Sequence, residues 1–303
     1  MSVVWSFKPR ELIRGKKSPA GALSNSAFFM KGNNSRAVIL IHGLTGTPVE
    51  MKPIAQFLNR KGYTVACPCL ANHGEPINVF KWSKWQEFYE SVRKVMTEGE
   101  LADHRGPIFA SGLSMGALLA LLLADEFKDR IDGVSCLAPT LFYDGWNTPH
   151  SKFFLPLGYF TPLKYFSYVK EDPPYGIKNE AIRSRIHKYY ANAKLEDMEN
   201  VGQYGYPYFP ITLFCQLHLL VKHVMKKLPK MNFPVQLIQA KDDDMTSVRN
   251  SKFIYDKIGS EIKEMVLLYN SYHVITADHE RGLVAEKAEG FFTRISEKFY
   301  QGK

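Results

Sequence analysis

Cysteine is scarce in this sequence, with four residues among 303. Their spacing offers neither a disulfide framework nor the paired ligands of a zinc site. Two of them fall within strand-like apolar runs, so we expect small, buried apolar side chains in a reducing compartment. The four residues are Cys67, Cys69, Cys136 and Cys215.

Long apolar runs and targeting signals are also lacking. The most apolar helical run, residues 117–124, is too short to cross a bilayer. Near the N-terminus the basic residues follow a short apolar run, which is the reverse of a secretory signal, and no small-residue cleavage site comes after them. We therefore expect a cytoplasmic protein.

The sequence has no dense block of positive charge, although its formal net charge is +9. Lysine and arginine are spread along the chain, which argues against a nucleic-acid partner. Attraction to an anionic membrane surface or to an acidic substrate fits this moderate charge better. The mostly apolar segment 3–7, beside Lys8 and Arg10, is suited to peripheral membrane contact, but we expect it to pack on the protein.

Three common cofactor signatures are missing as well. The sequence contains no glycine-rich phosphate loop, no paired zinc ligands and no dinucleotide-binding fingerprint. Nucleotide-dependent and zinc-dependent reactions are therefore not expected. We predict hydrolysis without a cofactor or a metal.

What the sequence does contain is a strand, a sharp turn and a long apolar helix over residues 107–130. The turn has the pattern G-L-S-M-G at residues 112–116, which in this strand–turn–helix context is typical of a nucleophile elbow. Its glycines let the turn hold strained backbone angles while strand and helix pass close together. We predict that Ser114 is the nucleophile.

Apolar β-branched runs alternate with amphipathic helical patterns on both sides of this elbow. Continuous apolar strands are typical of a parallel sheet buried on both faces, and the alternation is typical of right-handed βαβ units. We predict an α/β fold with a mostly parallel central sheet and helices on both faces. Besides the elbow strand, the predicted strands are 37–41, 63–67, 133–138, 235–240 and 265–269, and the last helix covers roughly 283–300.

The alternation stops between residues 140 and 231, a segment rich in Phe, Tyr and Trp. Because it lies between two predicted strands and has no strand pattern of its own, we expect an inserted helical cap over the carboxyl-terminal edge of the sheet. Most of its aromatics should form its own core, and a minority would line an acyl pocket. The predicted divisions are 1–35 (N-terminal segment with an edge hairpin strand), 36–139 with 232–303 (core domain) and 140–231 (cap).

A serine hydroxyl needs a base, and His273 is the best placed of nine histidines. It lies in a turn directly after the last predicted strand, at the edge of the sheet where the elbow is predicted. Its nearest rival along the chain is His279. Structural or surface roles are expected for the rest, which are His42, His73, His104, His150, His187, His218 and His223.

The base in turn needs a carboxylate, and the segment K-D-D-D-M at 241–245 supplies three. It follows strand 235–240 at the same edge and keeps the chain order Ser, Asp, His. Three adjacent acids cannot all point inward, and the residues alone do not choose among Asp242, Asp243 and Asp244. We expect the other two to be solvated loop charges.

Two backbone N–H groups are candidates for an oxyanion hole. Met115 directly follows the serine at the start of a helix, where N–H groups have no intrahelical partner. Leu44 lies in the loop after strand 37–41, where Gly43 and Gly46 keep the turn open.

Taken together, these motifs resemble those of α/β-hydrolases of the bacterial carboxylesterase and monoacylglycerol lipase group. The resemblance rests on I-H-G-L-T-G at 41–46, K-G-Y-T-V at 61–65, N-H-G at 72–74, G-L-S-M-G at 112–116, Q-A-K-D-D-D-M at 239–245 and S-Y-H-V-I-T at 271–276. It covers the predicted sheet domain and omits the cap. Two positions depart from the family pattern, because Ala240 and Tyr272 stand where glycine is usual.

The resemblance implies a role for each candidate residue. The nucleophile falls on Ser114, the base on His273 and the acid on Asp243, while the oxyanion donors fall on the backbone N–H groups of Leu44 and Met115. The implied reaction is hydrolysis of short- to medium-chain acyl esters or monoacylglycerols through an acyl-enzyme. The implied partner is that small-molecule substrate, and the protein is expected to be a monomer or homodimer.

Two other functions stay open at this point. An acyl thioesterase or an acyltransferase would use the same three residues on a related substrate. A catalytically inactive scaffold that only binds a ligand would keep the fold without the reaction.

Overall fold

The computed structural model describes residues 2–6, 27–148, 161–191, 193 and 205–300. Its strands are β1 (Ser2–Trp5), β2 (Phe28–Met30), β3 (Ala37–Ile41), β4 (Thr64–Cys67), β5 (Ile108–Leu113), β6 (Ile131–Leu137), β7 (Ser167–Lys170), β8 (Tyr208–Pro210), β9 (Val235–Ala240) and β10 (Lys263–Leu268). Its α-helices are α1 (Lys52–Arg60), α2 (Ile77–Phe80), α3 (Trp85–Thr97), α4 (Met115–Glu126), α5 (Glu180–Ala191), α6 (Ile211–Lys227), α7 (Arg249–Lys257) and α8 (Arg281–Tyr300).

Seven of these strands form one sheet in the order β10-β9-β6-β5-β3-β4-β2. Neighbouring strands run parallel, except that β2 pairs antiparallel with β4 at the edge. The predicted α/β fold with a mostly parallel sheet is therefore confirmed. The segment 28–30 is an edge strand as predicted, but it pairs with β4 and not with the strand that follows it, so the expected hairpin does not form.

Strand β3 illustrates why both faces of the sheet are covered. Successive side chains of a strand point to opposite faces. Ile39 and Ile41 join the apolar cluster that contains residues of α3, α4 and α6, whereas Val38 and Leu40 join the cluster that contains residues of α1 and α8. Each fully buried side chain of this kind stabilises the fold by roughly 1.5–3 kcal/mol. A strand that is apolar at every position therefore requires helices on both sides.

Helix α4 runs through the middle of the first of these clusters. All of its residues from Met115 to Ala124 are buried, which agrees with the apolar sequence of this segment on every side. The helix begins directly after Ser114, and β5 ends directly before it. The position of Ser114 is therefore set by two of the most deeply buried elements of the protein.

The segment between β6 and β9, here called the insertion, contains β7, α5, β8 and α6 among the described residues. Strand β7 pairs antiparallel with both β8 and β1, which gives a second sheet in the order β1-β7-β8. The sequence predicted a helical cap here and gave no sign of this second sheet. Residues 2–6 pack on the insertion, as expected for the leading segment, although Val3 and Trp5 stay about half exposed. Lys8 and Arg10 lie outside the described residues.

The cysteines form no disulfide. Cys67 and Cys136 are buried, as expected for small apolar side chains, whereas Cys69 and Cys215 are partly exposed. Among the helices that the structure describes, none is both long enough and apolar enough to span a membrane.

Candidate active site

Ser114 sits at the turn between β5 and α4 with φ 58° and ψ −116°. Few residues other than glycine adopt this left-handed backbone, and the strain persists only where the surroundings enforce it. The flanking glycines are part of those surroundings. A Cβ atom on Gly112 would collide with the backbone of Gly116, and one on Gly116 would collide with the carbonyl of Ile41. Both positions therefore require glycine for the strand, turn and helix to approach so closely.

The hydroxyl of Ser114 is hydrogen-bonded to the hydroxyl of Thr140 at an Oγ–Oγ1 distance of 2.8 Å. Within the described part of the chain it has no hydrogen bond to His273. Thr140 is buried and lies three residues beyond the end of β6, which is next to β5 in the sheet. Sequence reasoning missed Thr140, and its position just past a neighbouring strand is the signal that could have found it.

His273 and Asp243 are in direct contact. The imidazole Nδ1 lies 2.9 Å from Asp243 Oδ2 and 3.2 Å from the hydroxyl of Thr246, and both residues of the pair are buried. A carboxylate only accepts, so Nδ1 carries the proton that is donated. Nε2 is then the ring nitrogen with a free lone pair, as a general base requires.

Asp243 is fixed in place by the turn that follows β9. Its Oδ1 accepts backbone N–H bonds from Met245 at 2.9 Å and Thr246 at 2.8 Å. Its Oδ2 accepts from the amide of Gln239 at 2.7 Å and from the Thr246 hydroxyl at 3.1 Å, in addition to His273. Such charge-assisted bonds hold a carboxylate and the imidazole behind it in one orientation.

The two neighbouring acids differ from each other. Asp242 is exposed, as predicted for a solvated loop charge. Asp244 is 1 % exposed, so the same prediction was wrong for it. The reason is that two backbone N–H groups satisfy its carboxylate, from His273 at 3.3 Å and from Gly176 in the insertion at 3.2 Å. Burial, and next the charge of Asp243, raise the pKa of Asp244 to about 6.

The electrostatics of His273 follow from these neighbours. Burial by itself lowers the pKa of the imidazole, because it penalises the charged form. The carboxylates of Asp243 and Asp244 act in the opposite direction and outweigh burial, so the pKa of His273 is raised above its ordinary value. An imidazolium that forms beside Ser114 is thus stabilised.

The backbone on the other side of the serine is held by two histidines. His42 Nδ1 lies 2.9 Å from the carbonyl of Gly43, and His73 Nε2 lies 2.6 Å from the carbonyl of Leu44. His42 Nε2 accepts the N–H of Leu70, so its Nδ1 is the donor. Burial lowers the pKa of both rings, that of His73 to about 4, and keeps them neutral at neutral pH. The peptide that carries the Leu44 N–H is therefore anchored on both sides.

The other predicted oxyanion donor, the N–H of Met115, belongs to the first residue of α4. The first N–H groups of a helix have no intrahelical acceptor and lie at the positive end of its dipole. This N–H group is therefore available to an anion formed above Ser114.

The remaining histidines lie elsewhere. His104 is near the carbonyl of Ser35, His187 contacts the hydroxyl of Tyr175, and His279 is near the amide of Asn179. His218 and His223 are exposed on α6, and His150 lies outside the described residues. Of the histidines, His273 lines the cavity beside Ser114. In the part of the chain that the structure describes, no three His, Cys, Asp or Glu side chains are grouped as metal ligands would be.

Ser114, Leu44 and His273 open into a cavity of about 70 Å³, here called the reactive cavity. One of its walls consists of aromatic side chains from the insertion, namely Tyr143, Phe209 and Phe214. Phe214 contacts both of the others edge-on, with ring centres 5.3 Å from Tyr143 and 6.2 Å from Phe209. An apolar wall beside a serine hydroxyl suits an acyl group.

Two acidic residues in the reactive cavity were not predicted from the sequence. Glu50 lies in a short 3-10 turn, Pro48–Met51, and accepts the N–H of Gly43 at 2.5 Å. Glu171 directly follows β7 and is 8 % exposed. Burial is the main cause that raises the pKa of Glu50 to about 7 and that of Glu171 to about 8. Neither residue stands in a recognisable motif, so the sequence offers no signal for them.

Comparison with known proteins identifies relatives of this chain. The family model described as serine aminopeptidase, S33 matches residues 32–280. A thermostable monoacylglycerol lipase of Bacillus sp. (strain H-257) is 28 % identical over 272 residues, which cover 90 % of this chain and 96 % of that protein. A carboxylesterase of Bacillus subtilis (strain 168) is 24 % identical over 279 residues, covering 88 % of this chain and 96 % of that protein.

Solved structures have the same fold. One, from a study of the metagenome-derived lipolytic enzymes LipS and LipT, superposes with a TM-score of 0.73 at 25 % identity and covers 90 % of this chain and 98 % of that chain. The monoacylglycerol lipase of Paleococcus ferrophilus superposes with a TM-score of 0.67 at 20 % identity and covers 89 % of this chain and 98 % of its own.

Proposed function

This chain belongs to the serine aminopeptidase S33 family of hydrolases, and we propose that it cleaves carboxylic esters of short- to medium-chain acids, or monoacylglycerols, through an acyl-enzyme. The relatives named monoacylglycerol lipase and carboxylesterase, which match nearly the whole chain, support this substrate class. The proposed catalytic residues are Ser114, His273 and Asp243.

One observation carries the proposal. A strained serine and a buried imidazole line the same small cavity, and a carboxylate 2.9 Å behind the imidazole fixes its tautomer. These residues follow three different strands of one parallel sheet, whose carboxyl ends meet at one edge. A nucleophile, a base and an orienting acid in this arrangement support acyl transfer.

The first step is activation of the serine. In this step the hydroxyl of Ser114 donates a hydrogen bond to His273 Nε2. Hydrogen bonds of this kind are often long or absent before substrate binds and form in the complex. His273 then takes the proton as Ser114 Oγ attacks the ester carbonyl, and Asp243 stabilises the imidazolium that results.

The N–H groups of Leu44 and Met115 bind the oxyanion of the tetrahedral intermediate. His273 returns its proton to the leaving alcohol, which leaves an acyl group on Ser114. Water, deprotonated by His273, then attacks this acyl-enzyme and releases the acid. The reactive cavity of about 70 Å³ supports a short acyl group among the proposed substrates. In this proposal residues 140–231 of the insertion act as the cap over the core formed by 36–139 and 232–303.

The experiment compares Ser114→Ala with Ser111→Ala, a buried serine of the strand that precedes Ser114, on methyl butanoate and its thioester analogue. We expect Ser114→Ala to lose at least about 10⁴-fold in kcat and all labelling by a fluorophosphonate probe, because the nucleophile acts as a unit with its base. Ser111→Ala should keep both. Near-normal ester turnover by Ser114→Ala would refute the role of this serine. Preference for the thioester would favour a thioesterase, and an unlabelled wild-type protein would favour an inactive scaffold.

A further inference from the structure

A second cavity of about 170 Å³ lies beside the reactive cavity, between helix α5 and the loop that follows β3. The two cavities have several lining residues in common, including the carboxyl-bearing Glu50 and Glu171. They are therefore two neighbouring compartments that meet at a polar boundary. Here the second is called the side cavity.

The walls of the side cavity are mostly apolar. Ile177, Ile182 and Ile186 line it from the insertion, and Val274 and Ala277 line it from the loop after His273. These residues belong to one apolar cluster that is separate from the two large ones around the sheet. An apolar cavity of about 150 Å³ holds a molecule the size of benzene.

The shape of the side cavity is fixed by hydrogen bonds between its two walls. The N–H of Val274 donates to the carbonyl of Gly176 at 2.8 Å. The carboxylate of Asp278 accepts N–H bonds from Lys178 at 2.7 Å, Asn179 at 2.8 Å and Tyr272 at 2.9 Å. The insertion and the loop of His273 are thus joined by three hydrogen bonds, from Val274 to Gly176 and from Lys178 and Asn179 to Asp278, and the cavity beside them is part of the folded protein.

The position of His273 indicates which part of a substrate reaches this cavity. In the proposed reaction, His273 protonates the oxygen of the leaving alcohol, so the alcohol lies on the side of His273. Val274, the next residue, lines both cavities and so lies at their boundary, whereas the aromatic wall formed by Tyr143, Phe209 and Phe214 lines the reactive cavity alone. An alcohol group beside His273 can therefore extend past Val274 into the side cavity, while the acyl group lies against the aromatic wall.

We propose that the side cavity binds an apolar group on the alcohol part of the ester, about as large as a benzene ring, and that Ile182 and Ile186 help to set this specificity. The inference rests on the proposed ester hydrolysis and adds a second determinant to it. The substrate class is a short-chain acyl ester of an aryl-bearing or compact branched alcohol.

The test compares benzyl butanoate with methyl butanoate, whose alcohols are similarly acidic, so that their kcat/KM ratio reports contacts made by the alcohol group. We expect the wild-type protein to favour the benzyl ester by at least about tenfold, since even a single methylene in an apolar pocket is worth that much. Ile182→Trp fills the cavity and should bring the ratio near one. Arg185→Trp, exposed on the same helix, should keep the wild-type ratio. A ratio near one in the wild type, or a benzyl preference that Ile182→Trp keeps, would overturn the inference.

A binding measurement separates this inference from the reaction itself. Benzyl alcohol is titrated into Ser114→Ala protein and followed by ligand-observed NMR. Saturable binding that Ile182→Trp abolishes and Arg185→Trp retains would support the side cavity even if no ester were hydrolysed. Absence of saturable binding would overturn the role of the side cavity. If the wild-type protein still hydrolysed methyl butanoate, the proposed ester hydrolysis would stand.

Discussion

The hydroxyls of Ser114 and Thr140 are 2.8 Å apart, and both side chains are buried at the carboxyl edge of the central sheet. No hydrogen bond joins Ser114 to His273 in the described part of the structure. A neutral hydrogen bond such as the one to Thr140 contributes about 1 kcal/mol. With Ser114 as its donor, the proposed reaction has to break this bond before the serine can give its proton to His273.

Thr140→Val removes this partner while keeping the shape of the side chain. We expect the variant to react with a fluorophosphonate probe faster than wild type, by about two- to tenfold, because 1.4 kcal/mol corresponds to a factor of ten. Thr140→Ser retains a hydroxyl and should react at the wild-type rate. Slower labelling of Thr140→Val would mean that Thr140 assists the serine and does not restrain it.

The three consecutive acids after β9 should respond differently to amide substitution. Asp243→Asn should lower kcat by about 10⁴-fold, because an amide no longer fixes the Nδ1–H tautomer of His273. Asp244→Asn should cost less than about tenfold, since it bonds only backbone N–H groups, and the exposed Asp242→Asn should cost less than about twofold. Ester turnover by the three variants measures this order. Equal losses in Asp243→Asn and Asp244→Asn would contradict it.

The loss of activity at low pH should reveal how the carboxylates around His273 affect the pKa of this base. The base acts when neutral, so activity falls as pH drops through its pKa, which lies above the ordinary value. Asp244→Asn removes one of the charges that raise this pKa, and the acid limb of the pH profile should move to lower pH. Profiles of kcat/KM against pH for wild type and variant test the shift. A limb that stays in place would remove Asp244 from the electrostatics of the base.

Glu171 should make the folded protein less stable as pH rises. Its pKa is raised by burial to about 8, against an ordinary value of 4.5, so the unfolded chain loses this proton first. The ionisation of Glu171 does not lower the free energy of unfolding below pH 4.5, and its full destabilising effect is reached above pH 8. Glu171→Gln should therefore gain stability over wild type at pH 8.5, on the order of 1–4 kcal/mol, and little at pH 4.5.

Urea unfolding at the two pH values measures this difference. Glu180→Gln, an exposed acid on α5, is the matched control and should show no such pH dependence. A gain for Glu171→Gln that is equal at both pH values would trace to packing and not to the charge.

His73 should affect kcat by holding the backbone of Leu44, and with it the proposed oxyanion donor, in position. His73→Phe keeps an aromatic ring among Phe80 and Phe88 but loses the N–H that binds the Leu44 carbonyl at 2.6 Å. We expect kcat to fall by about tenfold or more with little change in KM, because an oxyanion donor acts mainly in the transition state. His104→Gln, near the surface, is the control. A raised KM with unchanged kcat would contradict this positioning role.

The central sheet was predictable because its strands carry their signal locally. The predicted segments 37–41 and 235–240 match β3 and β9 at both ends. Segment 37–41 is apolar at every position, a pattern typical of a strand buried on two faces. The pairing of β1 with β7 was not predictable. It joins Ser2 to Lys170, and no pattern within either short segment specifies a partner so far along the chain.

The site was less predictable than the sheet, because several of its contacts join segments that lie far apart in the sequence. The chain order of a serine, an acid and a histidine after strands can be read from the sequence, because those elbows and turns are short. Thr140, Glu50 and Glu171 face the serine only because distant segments pack together, and none stands in a motif. Burial of Asp244 depends on the N–H of Gly176, which belongs to the insertion. Their roles, and those of Ser114, Asp243 and His273, stay predictions for the experiments above.

Asp278 bonds the backbone of the insertion and the backbone beside His273 at once. One carboxylate therefore couples the insertion to the loop that carries the base. Loss of Asp278 would loosen both segments at once, so the alignment of the imidazole depends on a side chain five residues away that, in the described structure, has no hydrogen bond to the ring.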